Sequence, residues 1–309
     1  MRILIVRNTY NTKAVEASLL LETYLATQDI SYVCFDSDEI EASAALIDDG
    51  AVADNAAADG QEVATDQAAL FDMAVALGGD GTILRTAAFI KHHRVPILGI
   101  NFGNLGFMAN PSEEGVIPIV SAALAGDVTI EKRANLLVDA YCAPLEESQA
   151  SLDDDLAEEP TKRFFALNEV VIARGTEGRM IDFSYAVDGS SMGSMRGDGV
   201  VVATATGSTA YALSAGGPLI APGFTGLEIV PIAPHSLHSR AVVTDPSAVV
   251  EVVLNSSLGN RQATMFVDGE LIESDLPIRR IVVRTSEEPT LLLRYKSESF
   301  YDHAARVFF

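Results

Sequence analysis

Residues 74–87 read AVALGGDGTILRTA: an apolar run, a knot of glycines around one aspartate, then a helical pattern. The run MAVAL (73–77) has the length and continuity of a strand buried on both faces, and ILRTAAFIKHH (83–93) the spacing of a helix. Between them lie Gly78, Gly79, Asp80, Gly81 and Thr82. Backbone N–H groups at such a turn can hold phosphate oxygens, and glycine lets the ligand approach closely. The stretch lacks the Gly-Lys-Ser/Thr ending of a P-loop and is not GxGxxG. With no lysine at hand, phosphate charge would need a divalent cation such as Mg²⁺ or an arginine, and Arg85 stands one turn into the helix. Asp80 suits a base that takes a hydroxyl proton as a phosphoryl group arrives, or a metal ligand. Aspartate is equally a residue that caps a helix N-terminus, and the pentapeptide alone leaves both readings open.

Outward from this turn, the first half of the chain alternates strand and helix patterns. ILIV (3–6) reads as a buried strand and KAVEASLLLETYLATQ (13–28) as a helix, its core-facing positions taken as 15, 18, 19, 20 and 22. SYVCF (31–35) and VPILGIN (95–101) are further strands, and EEGVIPIVSAALAGD (113–127) a helix ending at Gly126. Strands separated by helices imply a doubly wound, mostly parallel sheet. Residues 36–70, rich in Ala, Asp and Glu, read as a solvated segment with little core.

From about residue 134 the texture changes. NLLVDAYCAP, FALNEVVIARG, IDFSYAVDG, GVVVATATG, LEIVPIAP, AVVTDPSAVVEVVLN, ATMFVDGEL and IRRIVVRT are short β-branched runs split by Gly, Pro, Asn and Asp. That spacing predicts an all-β domain. An acidic insert at 145–160 reads as a hairpin loop or a disordered tongue, and SFYDHAARVFF (299–309) as an amphipathic helix able to pack back on the first domain. The expected organisation is an α/β domain over 1–133, an all-β domain over 134–285 and a returning segment over 286–309.

Composition narrows the function. The 309 residues are 48% hydrophobic and 21% charged, an ordinary globular balance. With 43 acidic against 21 basic residues the formal charge is −22, which argues against nonspecific nucleic-acid binding. Two cysteines, Cys34 and Cys142, suit a reducing cytosol, and no apolar stretch nears the roughly 18 residues of a membrane span. The first residues form a strand pattern rather than a signal peptide. A soluble cytoplasmic protein that binds neither membrane nor nucleic acid is expected.

A second glycine-rich stretch, MRGDGVVVATATGSTAYALSAGGPLIAP (195–222), offers hydroxyl and backbone donors and acceptors. Tyr211 supplies a flat face for a base, and Asp198 could accept from a ribose hydroxyl. The plain alternative is a Gly/Ser-rich hairpin region. GSSMG (189–193) matches the G-x-S-x-G elbow of hydrolases, but more strand follows it where a helix is needed. His92, His93, His235, His238 and His303 form no recognised metal-binding spacing.

GGDGT (78–82), LNEVVI (167–172), GDGVVVATATGSTAYALSAGGPL (197–219), PIAPHSLHSR (231–240) and the closing SFYDHAAR together resemble the NAD kinases, in that order. The GGDGT turn alone is shared with phosphofructokinases and with diacylglycerol and sphingosine kinases; the later stretches are specific. The resemblance covers nearly the whole chain apart from 36–70 and 145–163. It implies phosphorylation of the 2′-hydroxyl of the adenosine ribose of NAD, giving NADP, with ATP or polyphosphate as donor, a divalent metal, and a homodimer or homotetramer. It implies Asp80 as proton acceptor, Asp80 and Gly81 at the NAD ribose, and Gly78, Gly79, Gly81 and Thr82 as the donor's phosphate turn. Asn168 and Glu169 would meet the second ribose region and Asp198 the nicotinamide side. Thr209, Ala210, Tyr211, Ala212, Leu213 and Ser214 would line the adenine pocket, and Arg85, Arg179 and Arg196 the phosphates or nucleotide. No residue is assigned as a metal ligand. A lipid kinase sharing the turn, or an NAD(P) sensor without turnover, stays open here.

Overall fold

Ile3, Leu4, Ile5 and Val6 carry four apolar side chains in succession, all fully buried, the signature of a strand covered on both faces. They belong to β1 of a computed structural model that describes residues 1–40, 46–47, 65–143, 159–255, 263–296 and 298–309. In chain order the elements begin β1 (Arg2–Arg7), α1 (Thr12–Thr27), β2 (Ser31–Asp36), β3 (Leu46–Ile47), β4 (Met73–Leu77), α2 (Asp80–Ile90), β5 (Ile97–Asn101), β6 (Asn110–Pro111), α3 (Val116–Ala125) and β7 (Thr129–Arg133). Strands β8 (Leu136–Cys142), β9 (Lys162–Ala166), β10 (Glu169–Ala173), β11 (Ile181–Val187), β12 (Ser190–Gly197) and β13 (Gly199–Ala203) follow. After a one-turn helix, α4 (Tyr211–Ser214), come β14 (Glu228–Ile232), β15 (Val242–Val243), β16 (Val250–Leu254), β17 (Thr264–Val267) and β18 (Glu270–Ile272). The chain closes with β19 (Ile278–Thr285), β20 (Thr290–Arg294) and α5 (Phe300–Phe308).

Two units emerge. One gathers the described residues within 1–132 and 288–309, apart from Leu46–Ile47, which join 133–287 in the other. The first unit is α/β: its sheet runs β2-β1-β4-β5-β20-β7, and the β2/β1, β1/β4, β4/β5 and β5/β20 pairs are all parallel. From β1 the chain crosses by α1 to β2 on one side; from β4 it crosses by α2 to β5 on the other. The winding therefore reverses between β1 and β4, and the crevice at the carboxyl ends of those two strands is where open α/β sheets bind ligands. Gly78–Asp80 sits there.

Three sequence expectations need adjustment in this unit. Helix α1 is capped by the Asn11 side chain, but its buried stripe is Ala14, Ala17, Ser18, Leu21 and Leu25. Of the five positions expected to face inward only Ser18 is buried; Leu19 and Leu20 are 55% and 57% exposed. Helix α2 begins at Asp80 rather than 83 and ends at Ile90 rather than 93. A terminal strand, β20, enters the parallel sheet ahead of the final helix. The end of α3 is as expected: Gly126 takes the left-handed conformation (φ 78°) that stops it.

The second unit is β-rich, with a six-stranded sheet ordered β15-β14-β13-β10-β17-β18 and a seven-stranded one ordered β12-β11-β16-β19-β8-β9-β3. GSSMG lies in the β11–β12 hairpin, turned by Asp188 and Gly189 at positive φ, so it is no nucleophile elbow. Segment 207–214 is not a hairpin: a 3-10 turn over Gly207–Thr209 runs into α4. Leu46–Ile47, from the stretch read as solvated, pairs antiparallel with β9. The rest of that stretch between 41 and 64, and most of the acidic insert, lie outside the described residues. The strands flanking the insert, β8 and β9, pair antiparallel.

Candidate active site

Gly78 is glycine for packing reasons. A β-carbon there would stand 2.2 Å from Thr82 Oγ1 and 3.1 Å from Asn8 Cβ, in the gap between the ends of β1 and β4. Gly79 and Gly81 differ: a β-carbon on either meets no atom of the described residues within 4 Å. Packing among the described residues does not demand glycine at those two positions, and both present bare backbone there. With α2 starting at Asp80, Thr82 N–H already donates to the Gly79 carbonyl at 3.0 Å, and the N–H groups ahead of it, at the open start of the helix, are the ones placed to meet an anion.

The capping alternative for Asp80 does not hold. The N-cap is Gly79, and the carboxylate of Asp80 turns away from its own helix to the loop after β5. Phe107 N–H donates to Oδ2 at 2.9 Å and Met108 N–H donates to Oδ1 at 3.2 Å. A carboxylate oxygen has two lone-pair sites, so each still has room for a second partner. The loop is closed by Asn101, whose Oδ1 accepts from Gly103 N–H at 2.8 Å and whose amide donates to the Asn104 carbonyl. Asn110 then ties the loop's far end to the Gly99 and Leu293 carbonyls, at 2.9 Å each. Sequence reasoning missed Gly106, Phe107 and Met108. The available signal was NFGNLGF (101–107), a Gly/Asn-rich stretch at the carboxyl end of a central parallel strand. Arg85 donates to the Ser37 carbonyl at 3.1 Å, tying α2 to the turn after β2.

In the second unit, register aligns acidic residues. Glu169 pairs with Ala203, Ala203 with Glu228, and Asp268 N–H donates to the Glu169 carbonyl. Asp268, Glu169 and Glu228 thus form a row across one end of the six-stranded sheet, with Ala203 as the small residue between the two glutamates. Asp268 accepts from the N–H groups of Leu167, Asn168 and Glu169 at 2.7–3.1 Å. Burial raises its carboxyl to about 6 against the lowering effect of those bonds. Burial, then the nearby Asp268 and Glu228, push Glu169 up to about 8; burial raises Glu228 to about 7. Asn168 Oδ1, Glu169 Oε2 and both Glu228 oxygens are buried and accept from no described residue.

The glycine-rich segment lies directly on this row. A β-carbon on Gly207 would come within 2.4 Å of the Asn168 carbonyl oxygen and 2.9 Å of Glu169 Oε2; one on Gly217 would come within 3.0 Å of Glu228 Oε2. Thr204 Oγ1 pins the segment, donating to the Leu167 carbonyl at 2.7 Å and accepting from Thr206 and Gly207 N–H. Tyr211, 44% exposed, opens α4, Ser214 is exposed, and Thr209, Ala210 and Leu213 are half-buried. Ala212 is fully buried, packed in the core with Val171, Val201, Ala203 and Val230.

Asp198, Arg196 and Arg179 are not gathered with these groups. Asp198 precedes β13 and pairs with Arg174 at 3.2 Å, Arg196 lies in β12, and Arg179 is an exposed partner of Glu177 at 3.5 Å. The length of β13, five residues or roughly 17 Å, separates Asp198 from the Glu169 end of the sheet.

A glycine turn at the switch point of a parallel sheet, with a carboxylate held behind it, and a separate β-rich unit define a two-unit protein with a phosphate-type turn. Comparison with known proteins supplies the family. The ATP-NAD kinase N-terminal domain matches residues 3–128 and the ATP-NAD kinase C-terminal domain matches 167–295. An NAD kinase of Cupriavidus pinatubonensis is 40% identical over 230 residues, 74% of this chain and 70% of that protein. One of Laribacter hongkongensis is 33% identical over 294 residues, 94% of this chain and 90% of the other. Among solved structures, an NAD kinase from Archaeoglobus fulgidus in complex with ATP is 25% identical, with a TM-score of 0.65 over 96% of this chain and 94% of that one. A yeast NADH kinase complexed with NADH shares the fold, with a TM-score of 0.78 at 20% identity, covering 99% and 87%. This chain belongs to the NAD kinase family and is a kinase, which sets the lipid-kinase reading aside. No helix among the described residues is long and apolar enough to cross a membrane.

Proposed function

We propose that this chain transfers a phosphoryl group from ATP to the 2′-hydroxyl of the adenosine ribose of NAD, giving NADP, with Asp80 accepting the hydroxyl proton. The observation that carries the reading is the grip of two backbone N–H groups on Asp80, beside two glycines that no described side chain crowds. Two donors on two oxygens fix the carboxylate's plane, and positioning is most of what a protein contributes to phosphoryl transfer. The O2′–P bond forms as the bond from phosphorus to the departing nucleoside diphosphate breaks, and the O2′ proton passes to Asp80. Tyr211 offers its exposed ring to the adenine. Asn168 and Glu169 offer unpartnered oxygens to a ribose, and Glu169, protonated at neutral pH by its raised pKa, can donate as well as accept.

The residues fit a divalent cation carried in by the donor. No three His, Cys, Asp or Glu side chains among the described residues cluster into a cage. Mg²⁺ habitually binds one or two carboxylates plus substrate phosphates, and Asp80 is the carboxylate at the turn. Bound there, it would neutralise charge on the phosphates. A polyphosphate chain offers the same anhydride, so it stands as an alternative donor. Among the described residues the two β sheets end at β15, β18, β12 and β3, edges that suit a homodimer or homotetramer, and the two free cysteines suit the cytoplasm.

The test is NADP formation from purified protein with Mg²⁺ and either NAD or NADH, run in parallel with ATP and with polyphosphate. Product with ATP is expected. Product with polyphosphate alone would overturn the donor assignment, and NAD binding without product from either donor would make the chain a sensor.

A further inference from the structure

Side chains of the terminal helix reach the loop that holds Asp80. The Phe107 ring is stacked on Phe308 (centroids 5.6 Å, planes 9° apart), meets His303 edge-on at 4.6 Å and lies 5.9 Å from Phe300. These residues sit at positions 300, 303 and 308 of α5, one face of the helix. Just ahead of the helix, Arg294 at the end of β20 donates to the Met108 carbonyl at 2.5 Å, and Tyr295 N–H donates to Asn110 Oδ1 at 2.8 Å. Arg294 is itself paired with Glu131 at 3.1 Å. The C-terminal segment therefore grips residues 107–110 by ring packing at one end and hydrogen bonds at the other.

We infer that α5 is a brace for the catalytic carboxylate: Phe107, clamped by Phe300, His303 and Phe308, is a positioning residue that keeps two main-chain N–H groups aimed at Asp80. The inference rests on the reading of Asp80 as proton acceptor. Phe107 and Met108 reach Asp80 through main-chain atoms, so no side chain at either position makes the contact. What a side chain there decides is where the main chain lies. At its start the loop is held by Asn101, which ties Gly103 and Asn104, and by Phe102 against the sheet core; at residues 107–108, which carry the donors, the ring of Phe107 is the anchor toward the helix. Displacing a general base by an ångström is enough to lose much of its effect.

The experiment is a double-mutant cycle on the full-length enzyme, with kcat and KM for NAD read under saturating ATP. Phe107→Ala and Phe308→Ala are each made alone and in an Asp80→Asn background. Alone, each is expected to lower kcat by about tenfold or more while KM for NAD moves little. In the Asp80→Asn background the same substitutions should cost less than about twofold, because the group they position is gone. Phe107→Tyr, which keeps the ring, should recover most of the loss. Equal losses in both backgrounds, or no loss in either, would overturn the brace. Should Phe107→Ala fold poorly, Phe308→Ala, at the exposed end of the helix, carries the same cycle. If Asp80→Asn alone leaves kcat unchanged, the base reading falls and takes the brace with it. If Asp80→Asn is crippled while both ring variants turn over normally, only the brace falls.

Discussion

Gly106 and Asp80 approach so closely that no side chain fits between them: a β-carbon on Gly106 would stand 2.2 Å from Oδ2 and 2.5 Å from Oδ1. The constraint is contact, not backbone strain, since Gly106 is not among the residues at positive φ. Gly106→Ala must push either the carboxylate or the loop aside, an overpacking that typically costs about 1–3 kcal/mol. The expected result is a folded protein, its Tm lowered by a few degrees, with kcat down by about two orders of magnitude as the base is displaced. Thermal unfolding and steady-state kinetics on one preparation check it. An alanine variant with normal turnover would mean that the carboxylate need not stay where the N–H groups hold it.

Asp80→Asn tests the carboxylate itself. Kcat should fall by roughly 10² or more, the scale of a general base, while the Kd for NAD stays within a few-fold. A second effect follows from the hydrogen bonds. An amide NH₂ cannot accept, so one of the Phe107 and Met108 N–H groups loses its partner, at a cost of about 1–3 kcal/mol where buried. Isothermal titration with NAD separates the two consequences: a large loss of NAD affinity would make Asp80 a binding residue rather than a base.

Tyr211→Ala should act on binding instead. The ring is exposed on a one-turn helix and touches little of the protein core, so stability should change little. If adenine stacks on it, NAD affinity should weaken by about 1–2 kcal/mol, a roughly 5- to 30-fold rise in KM with kcat nearly constant. An unchanged KM would remove the ring from the pocket.

Much of the first unit was legible because its strands are unbroken apolar runs. ILIV and MAVAL can lie nowhere but mid-sheet, and Gly126 marks a helix end by the one conformation it tolerates better than other residues. The stripe of α1 was misread for a physical reason. Leu19, Leu20 and Leu21 are adjacent, periodicity alone cannot choose among them, and the choice falls to the sheet beneath. The grip on Asp80 was invisible for another. Its donors are main-chain N–H groups, which every residue but proline carries, and only the path of the loop brings them there. Glu169 was singled out through resemblance, but its alignment with Glu228 and Asp268 arises from register between strands dozens of residues apart.

That row makes stability fall with pH, and Glu228 is its cleanest probe. Its folded carboxyl titrates at about 7, above the usual carboxylate range, because burial penalises the charge. Below about pH 4.5 the group is neutral in both folded and unfolded states. Between there and pH 7 the unfolded chain releases a proton that the folded chain keeps, so stability declines as pH rises through this window. Each pKa unit is worth about 1.4 kcal/mol, which puts the whole decline from this group on the order of 3 kcal/mol. Glu228→Gln never ionises. Its buried NH₂ carries a cost, but one independent of pH, which drops out when the variant is compared with the parent across pH. Asp268 and Glu169 titrate in both proteins, and relieving Glu169 of the Glu228 charge acts in the same direction. Denaturant unfolding of the two proteins from pH 5 to 8 should therefore show the parent losing ground steadily to the variant, most of it below pH 7. A stability difference that stays level over that range would mean that Glu228 ionises as readily in the folded chain as in the unfolded one.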